Sequence, residues 1–323
     1  MRAPGTARIA LSAAGAVRAE PDGRLAEDAL VPERRVKKVG ALPDKARLAL
    51  AAMRRCLGPE PSVGGDRCGV ALGTWFGAMD VAERCLDTVR ADGFKEVTPS
   101  WYATGLPNAT AAIVAAVHGI TGPNLTFLGW SAGLEAIVAG CRQIAAGRCD
   151  TMIVGGFDMT SPGYAASLAA DPVFAPAGAV HAGAAVLRLD RAAGAATADG
   201  GEAGPRARVI GWSQGEAGPG EDGSGEDGAG EDDAALADRL VAAACAMAAR
   251  GDAAERGAAG VAPAPSVHVL TPGRVGGPDH LAASAPLHLV DLLARPPGDG
   301  PARHALVARG LGPSAVCLLI ETD

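Results

Sequence analysis

The sequence predicts an α/β protein built from two similar halves, on three observations. Apolar runs rich in Val, Ile, Leu and Ala alternate with helical stretches on both sides of a Gly- and acid-rich segment. Most strand-like runs are apolar throughout rather than alternating, so their sheets are expected to be covered on both faces. Of the 323 residues, 48% are hydrophobic and 20% charged, enough to bury a large core. The expected architecture is a layered sandwich of helices and sheets. Its first half covers 1–190, a low-complexity insert carrying one strand covers 191–232, and the second half covers 233–323.

Each element has its own signal. Residues 8–17 (RIALSAAGAV) suit a buried strand. Residues 43–57 suit a helix with Leu48, Ala49, Ala52, Met53 and Cys56 on one face. RCGVALG at 67–73 reads as a strand, and a helix follows near 78–92. NATAAIVAAVHG at 108–119 reads as a helix with Asn108 at its N-cap. A strand (124–128), a turn, a helix (132–147) and a strand (151–155) come next, with Leu134, Ile137, Val138, Cys141, Ile144 and Ala145 as the helix's apolar stripe. Strands are expected at 183–189 and 207–212. GED then recurs at 220, 225 and 230, a solvated low-complexity pattern. Order resumes with a helix at 233–250, a strand at 266–270, a helix near 280–294, and strands at 303–308 and 314–321.

Composition removes several function classes. The net charge of −7 comes from residues 216–233, which hold eight acids and no base. The remainder, with 28 acids against 29 bases, is nearly neutral and offers no basic nucleic-acid surface. Seven scattered cysteines show no Cys-x-x-Cys pair or Cys/His spacing, so neither a metal nor a cofactor is expected, and a reduced, cytoplasmic setting is. The first residues read as a strand rather than a signal peptide, and no apolar run is long enough to span a bilayer. The last aromatic is Trp212, so the second half's core is aliphatic.

Two stretches, GWSAG at 129–133 and GWSQG at 211–215, fit the Gly-x-Ser-x-Gly pattern of a serine nucleophile turn. Ser213 lacks a following helix. Ser131 stands between a strand and a convincing helix, whose first amides favour a developing anion. A serine enzyme would also need an acid and a base, for which Asp279 and either His268 or His280 are available. The plainer role for Ser131 is that of a helix-start residue bonding to backbone amides.

Several stretches, in order, resemble the β-ketoacyl synthases of the thiolase fold. They are RCGVALGTWFGAMD, TPSWYATGLPNATAAIVAAVHGITGPNLT, GLEAIVAGCRQIAAGRCDTMIVGGFD and HAGAAVLRLD, then ARVIGW, DHLAASAPLHLVDLL and ALVARGLGPSAVCLLIE. The resemblance is strong over 67–190 and weaker after 260. It implies a thiolase-like α/β/α/β/α sandwich of two pseudo-repeated halves. In that family a cysteine at a helix N-terminus, its pKa lowered by the helix dipole, accepts an acyl group. Counting back from Gly133-Leu134-Glu135-Ala136, its place falls on Trp130, which is no nucleophile; a one-residue shift would put Ser131 there. His280 matches the second of two family histidines, with Asp279 replacing the usual Gly before it, and His268 is the candidate for the first. The family lysine has no match near Arg274 and Val275, and 307–314 contains no gating Phe.

Such departures are similar to chain length factors, which have lost the nucleophile and pair with an active ketosynthase. The resemblance therefore implies a non-catalytic subunit. It would form a heterodimer with an active β-ketoacyl synthase through the strand at 124–128 and meet acyl carrier protein indirectly, in fatty-acid or polyketide elongation. Trp130, Ser131 and Leu311 would lie along the substrate tunnel, with Trp130 as a core aromatic, a plug, or both. The alternatives are an acyltransferase or hydrolase using Ser131 and a homodimeric acyl-binding protein.

Overall fold

The computed structural model describes residues 9–20, 25, 42–58, 63–75, 77–160, 162–175, 180–192, 207–216, 229–256, 264–272, 279–296, 301–309 and 314–322. The first half runs β1 (Ile9–Arg18), α1 (Asp44–Leu57), β2 (Cys68–Thr74), α2 (Met79–Asp92), α3 (Pro99–Thr104), α4 (Ala109–His118), β3 (Asn124–Leu128), α5 (Ala132–Ala145), β4 (Thr151–Asp158), α6 (Pro162–Ala170) and β5 (Gly183–Arg191). The second runs β6 (Ala207–Glu216), α7 (Ala229–Arg256), β7 (Ser266–Leu270), α8 (Ser284–Leu293), β8 (Ala302–Arg309) and β9 (Ser314–Thr322).

The strands line up as β3-β2-β4-β5-β1-β6-β9-β8-β7. This order contains a repeat. In the first half β2 is parallel to β3 and β4, while β5 is antiparallel to both β4 and β1. In the second half β7 is parallel to β8, while β9 is antiparallel to both β8 and β6. Strands β6, β7, β8 and β9 thus repeat β1, β2, β4 and β5; among the described residues β3 has no counterpart. The halves join where Ile9–Leu11 of β1 pairs with Ala207–Val209 of β6.

Three apolar clusters mark the layers. α1 and α4 cover one face of the first sheet through Leu48, Met53, Val114, Val70 and Ile153. α7 covers the outer face of the second through Leu236, Leu240, Cys317 and Leu319. Between the sheets lie α5 and α8: α5 packs on β2, β3 and β4 but also reaches β9, and α8 packs on β1, β4 and β5 but also reaches β8. Met152 and Val154 of β4 and Leu318 and Ile320 of β9 point into this central layer, while Ile153 and Leu319 point out of it, as the two-residue period of a strand requires. The result is the expected α/β/α/β/α sandwich.

The structure extends the sequence reading in several places. The short helices α3 and α6, and the 3-10 turn at Phe94–Glu96, carry too little amphipathic pattern to be read from the sequence. β6 runs on to Glu216, because Ser213–Glu216 find partners in Ser314–Cys317 of β9. The second serine pattern is therefore strand, and Ser213 Oγ donates to Leu240 O at 2.6 Å. α7 is longer than 233–250 at both ends, running from Ala229 to Arg256. Asn108 caps α4 by position without a side-chain bond. Most of the acidic insert, and Leu311, Arg274 and Val275, lie outside the described residues. Among the described residues no helix is long and apolar enough to cross a membrane.

Candidate functional site

The repeat brings two helix starts together, because α5 and α8 each precede the equivalent strand of their half and meet in the central layer. β3 ends at Leu128, and Gly129, at φ +133°, turns the chain into α5; that conformation is open to glycine and strained for other residues. Gly133 allows the close crossing, since a Cβ there would collide with Ala282 O and stand 2.7 Å from Pro286 Cγ. Trp130, between them, is 2% exposed.

Its indole is not merely packed. Trp130 Nε1 donates to both carboxylate oxygens of Asp279, at 3.1 Å each. Asp279 is 0% exposed and is itself held: Ser284 Oγ donates to its Oδ1 at 2.9 Å, and its backbone carbonyl accepts from His181 N at 2.8 Å. His280 follows directly. Its N–H donates to Ser284 Oγ at 2.9 Å, and its Nδ1 lies 3.1 Å from Ala182 O. A carbonyl only accepts, so that contact fixes the proton on Nδ1 and leaves Nε2 as the acceptor. Burial pushes the His280 pKa down to about 4, so the ring is neutral at pH 7. His181 stands edge-on to His280 with centroids 6.2 Å apart, and its buried Nδ1 has no hydrogen-bond partner among the described residues.

A second buried carboxylate ties the same junction. Asp158, at the end of β4, accepts from Thr74 Oγ1 at 2.7 Å, from Trp75 N at 3.1 and 3.0 Å, and from Ala282 N at 2.9 Å. It lines one cleft with the buried Lys45, whose ammonium donates to Gly77 O. The sequence does not single out Asp158, and His181 reads there as a structural histidine. Their only local signals are a Gly-Gly-x-Asp strand end and a histidine just before β5.

The remaining candidates sit elsewhere or act differently. Ser131 is buried, but its Oγ donates to Glu135 Oε1 at 2.6 Å and caps no backbone amide, contrary to expectation. At φ −78°, ψ −5° the residue is already helical, and a capping side chain works from an extended N-cap. His268 is drawn into a separate cluster. Its Nε2 lies 3.4 Å from His304 Nδ1, and its Nδ1 lies 3.3 Å from His288 Nε2. Burial lowers the pKa of all three, and the two neighbours lower that of His268 further. His268 spends one nitrogen on each neighbour, so the three rings do not converge on a point. Among the described residues no group of three or more His, Cys, Asp or Glu is arranged to hold a metal ion. All seven cysteines are free, and burial pushes Cys56, Cys141 and Cys317 up to about 12.

Comparison with known proteins places this geometry. The Beta-ketoacyl synthase, N-terminal domain, matches residues 26–201, more than half of the chain. The chain belongs to the β-ketoacyl synthase family. Among curated members, 3-oxoacyl-[acyl-carrier-protein] synthase 2 of Coxiella burnetii is 30% identical over 96 residues, 29% of this chain and 23% of that one. The same enzyme of Mycobacterium bovis is 32% identical over 100 residues, 31% and 24% of the two chains. The chain thus aligns with about a quarter of the length of these relatives. The fold agrees with solved family structures over nearly the whole chain. "The ishigamide ketosynthase/chain length factor" superposes with a TM-score of 0.68 at 17% identity, covering 98% of this chain and 99% of that one. A Beta-ketoacyl synthase from Burkholderia phymatum STM815 gives 0.65 at 15% identity, covering 98% and 100%.

Proposed function

We propose that this chain is a non-catalytic, chain-length-factor-type subunit that pairs with an active β-ketoacyl synthase to elongate fatty-acyl or polyketide chains on acyl carrier protein. One observation carries the reading. Where the family sets a thiol at the mouth of α5, this chain has a buried indole whose single N–H is already committed to Asp279. An indole offers no available lone pair for acyl transfer. Pairing is supported by β3, an edge strand with all its residues at least partly exposed and Leu128 59% exposed, whereas the interior strand β2 is buried throughout.

Ser131 supports a second reading, because a serine bonded to a carboxylate at a helix start resembles an activated hydroxyl. Against it, the described hydrogen bonds of Ser131 include neither His268 nor His280.

The test is coexpression with a ketosynthase encoded beside it, followed by purification on a tag carried by this chain and intact-mass analysis after exposure to acyl thioesters. A stable one-to-one complex, acylated on the partner alone, is expected. An adduct on this chain that Ser131→Ala abolishes would establish the serine enzyme instead. An unpartnered, unacylated homodimer that binds acyl chains would leave the acyl-binding protein.

A further inference from the structure

We infer that Asp279 is a latch: from the second half of the chain, it holds the Trp130 indole across the junction and keeps the mouth of α5 closed to an acyl chain. The inference rests on the reading that acyl chains run beside this junction. Asp279 would be a positioning residue that acts through Trp130.

Three features argue for a latch rather than a packed aromatic. A tryptophan that only fills space needs no carboxylate, and a carboxylate with no exposure is costly to bury unless donors meet it. Here the indole N–H meets both oxygens, which fixes the ring's plane as well as its position. The carboxylate is in turn fixed by Ser284 Oγ and by a backbone bridge between Val180 and Asp279, so the anchor cannot follow the ring if it swings. The start of α5, just after the ring, is fixed too, because Gly133, like Gly156 of β4, packs against Ala282 O with no room for a Cβ. The indole belongs to the central apolar cluster, which also includes Leu134, Phe174, Val180 and Leu270. Displacing the ring would expose a lining suited to an aliphatic chain.

A double-mutant cycle between Trp130→Phe and Asp279→Ala tests this on the full chain, with decanoyl-N-acetylcysteamine as the probe. Wild type is expected to bind the probe weakly, and Asp279→Ala at least about tenfold more tightly. With Trp130→Phe already in place there is no N–H to hold, so adding Asp279→Ala should change affinity by less than about twofold. In 15N-labelled wild type, the indole signal that Trp130→Phe removes should exchange slowly with deuterium and should speed up in Asp279→Ala. Asp279→Asn, which keeps the shape and one acceptor, should fall between and serves if the alanine variant does not fold. Equal binding by wild type and Asp279→Ala, rapid exchange in wild type, or an unchanged Asp279 effect in the Trp130→Phe background would each overturn the latch. Intact mass is read on every sample. A covalent adduct on this chain would refute the non-catalytic reading and leave the latch to be judged by the cycle.

Discussion

Replacing Asp158 should weaken the joint between the halves more than its single side chain suggests. The carboxylate receives the Thr74 hydroxyl and the backbone N–H groups of Trp75 and Ala282, and only Ala282 belongs to the second half. In Asp158→Ala the hydroxyl can reorient, but the two amides are left without this acceptor in a buried site. Each stranded amide costs about 1–3 kcal/mol, so the loss is about 2–6 kcal/mol, a large part of a typical domain's stability of about 5–15 kcal/mol. Asp158→Asn keeps the volume and one acceptor oxygen but turns an NH2 toward a donor, at a cost of about 1–3 kcal/mol. Thr74→Val leaves both amides satisfied but strands Gly77 N, which donates to Thr74 Oγ1 at 3.0 Å, so its loss should be about 1–3 kcal/mol, below that of Asp158→Ala. Urea unfolding followed by circular dichroism gives the order and the midpoints. Asp158→Ala should also lower the slope of the transition or split it, since the halves lose a shared bond. A value for Asp158→Asn within about 0.5 kcal/mol of wild type would refute the assignment of these bonds as a buried joint.

Three further outcomes are expected. The folded pKa of His280, pushed down to about 4, lies below an unfolded value near 6.5, so the unfolded chain binds the proton more readily. Its contribution is complete above pH 6.5 and is lost as the pH falls toward 4, by about 3 kcal/mol; His280→Asn should flatten that acid limb in stability measured from pH 7 to 4. Gly133→Ala places a Cβ against the backbone of Ala282 and should lower the melting temperature by several degrees in a calorimetric scan, while Ala139→Gly in the same helix costs only about 1 kcal/mol. Leu128→Glu on the exposed edge of β3 should leave monomer stability within about 0.5 kcal/mol but abolish copurification with the synthase, as read by size-exclusion chromatography.

What the sequence made legible follows from how far each cause reaches along the chain. The stripe from Leu134 to Ile144 lies within one helix, and β3 at 124–128 is bounded by turn residues, so both were placed almost to the residue. α6 at Pro162–Ala170 has little apolar periodicity, and the helical dihedrals of Ser131 leave no trace in its identity, so the helix and the lost cap were not foreseen. The site divides in the same way. Trp130 stands out by sequence position, because it precedes Gly133-Leu134-Glu135-Ala136 by the count at which the resemblance expects a thiol, with Ser131 one residue away. Its bond to Asp279 spans 149 residues, and that of Asp158 to Ala282 spans 124. No local pattern encodes either. Both follow from the repeated topology, in which α5 and α8 occupy the same step of their halves and their starts converge. The indole at 130 and the carboxylate at 279 meet because of that convergence.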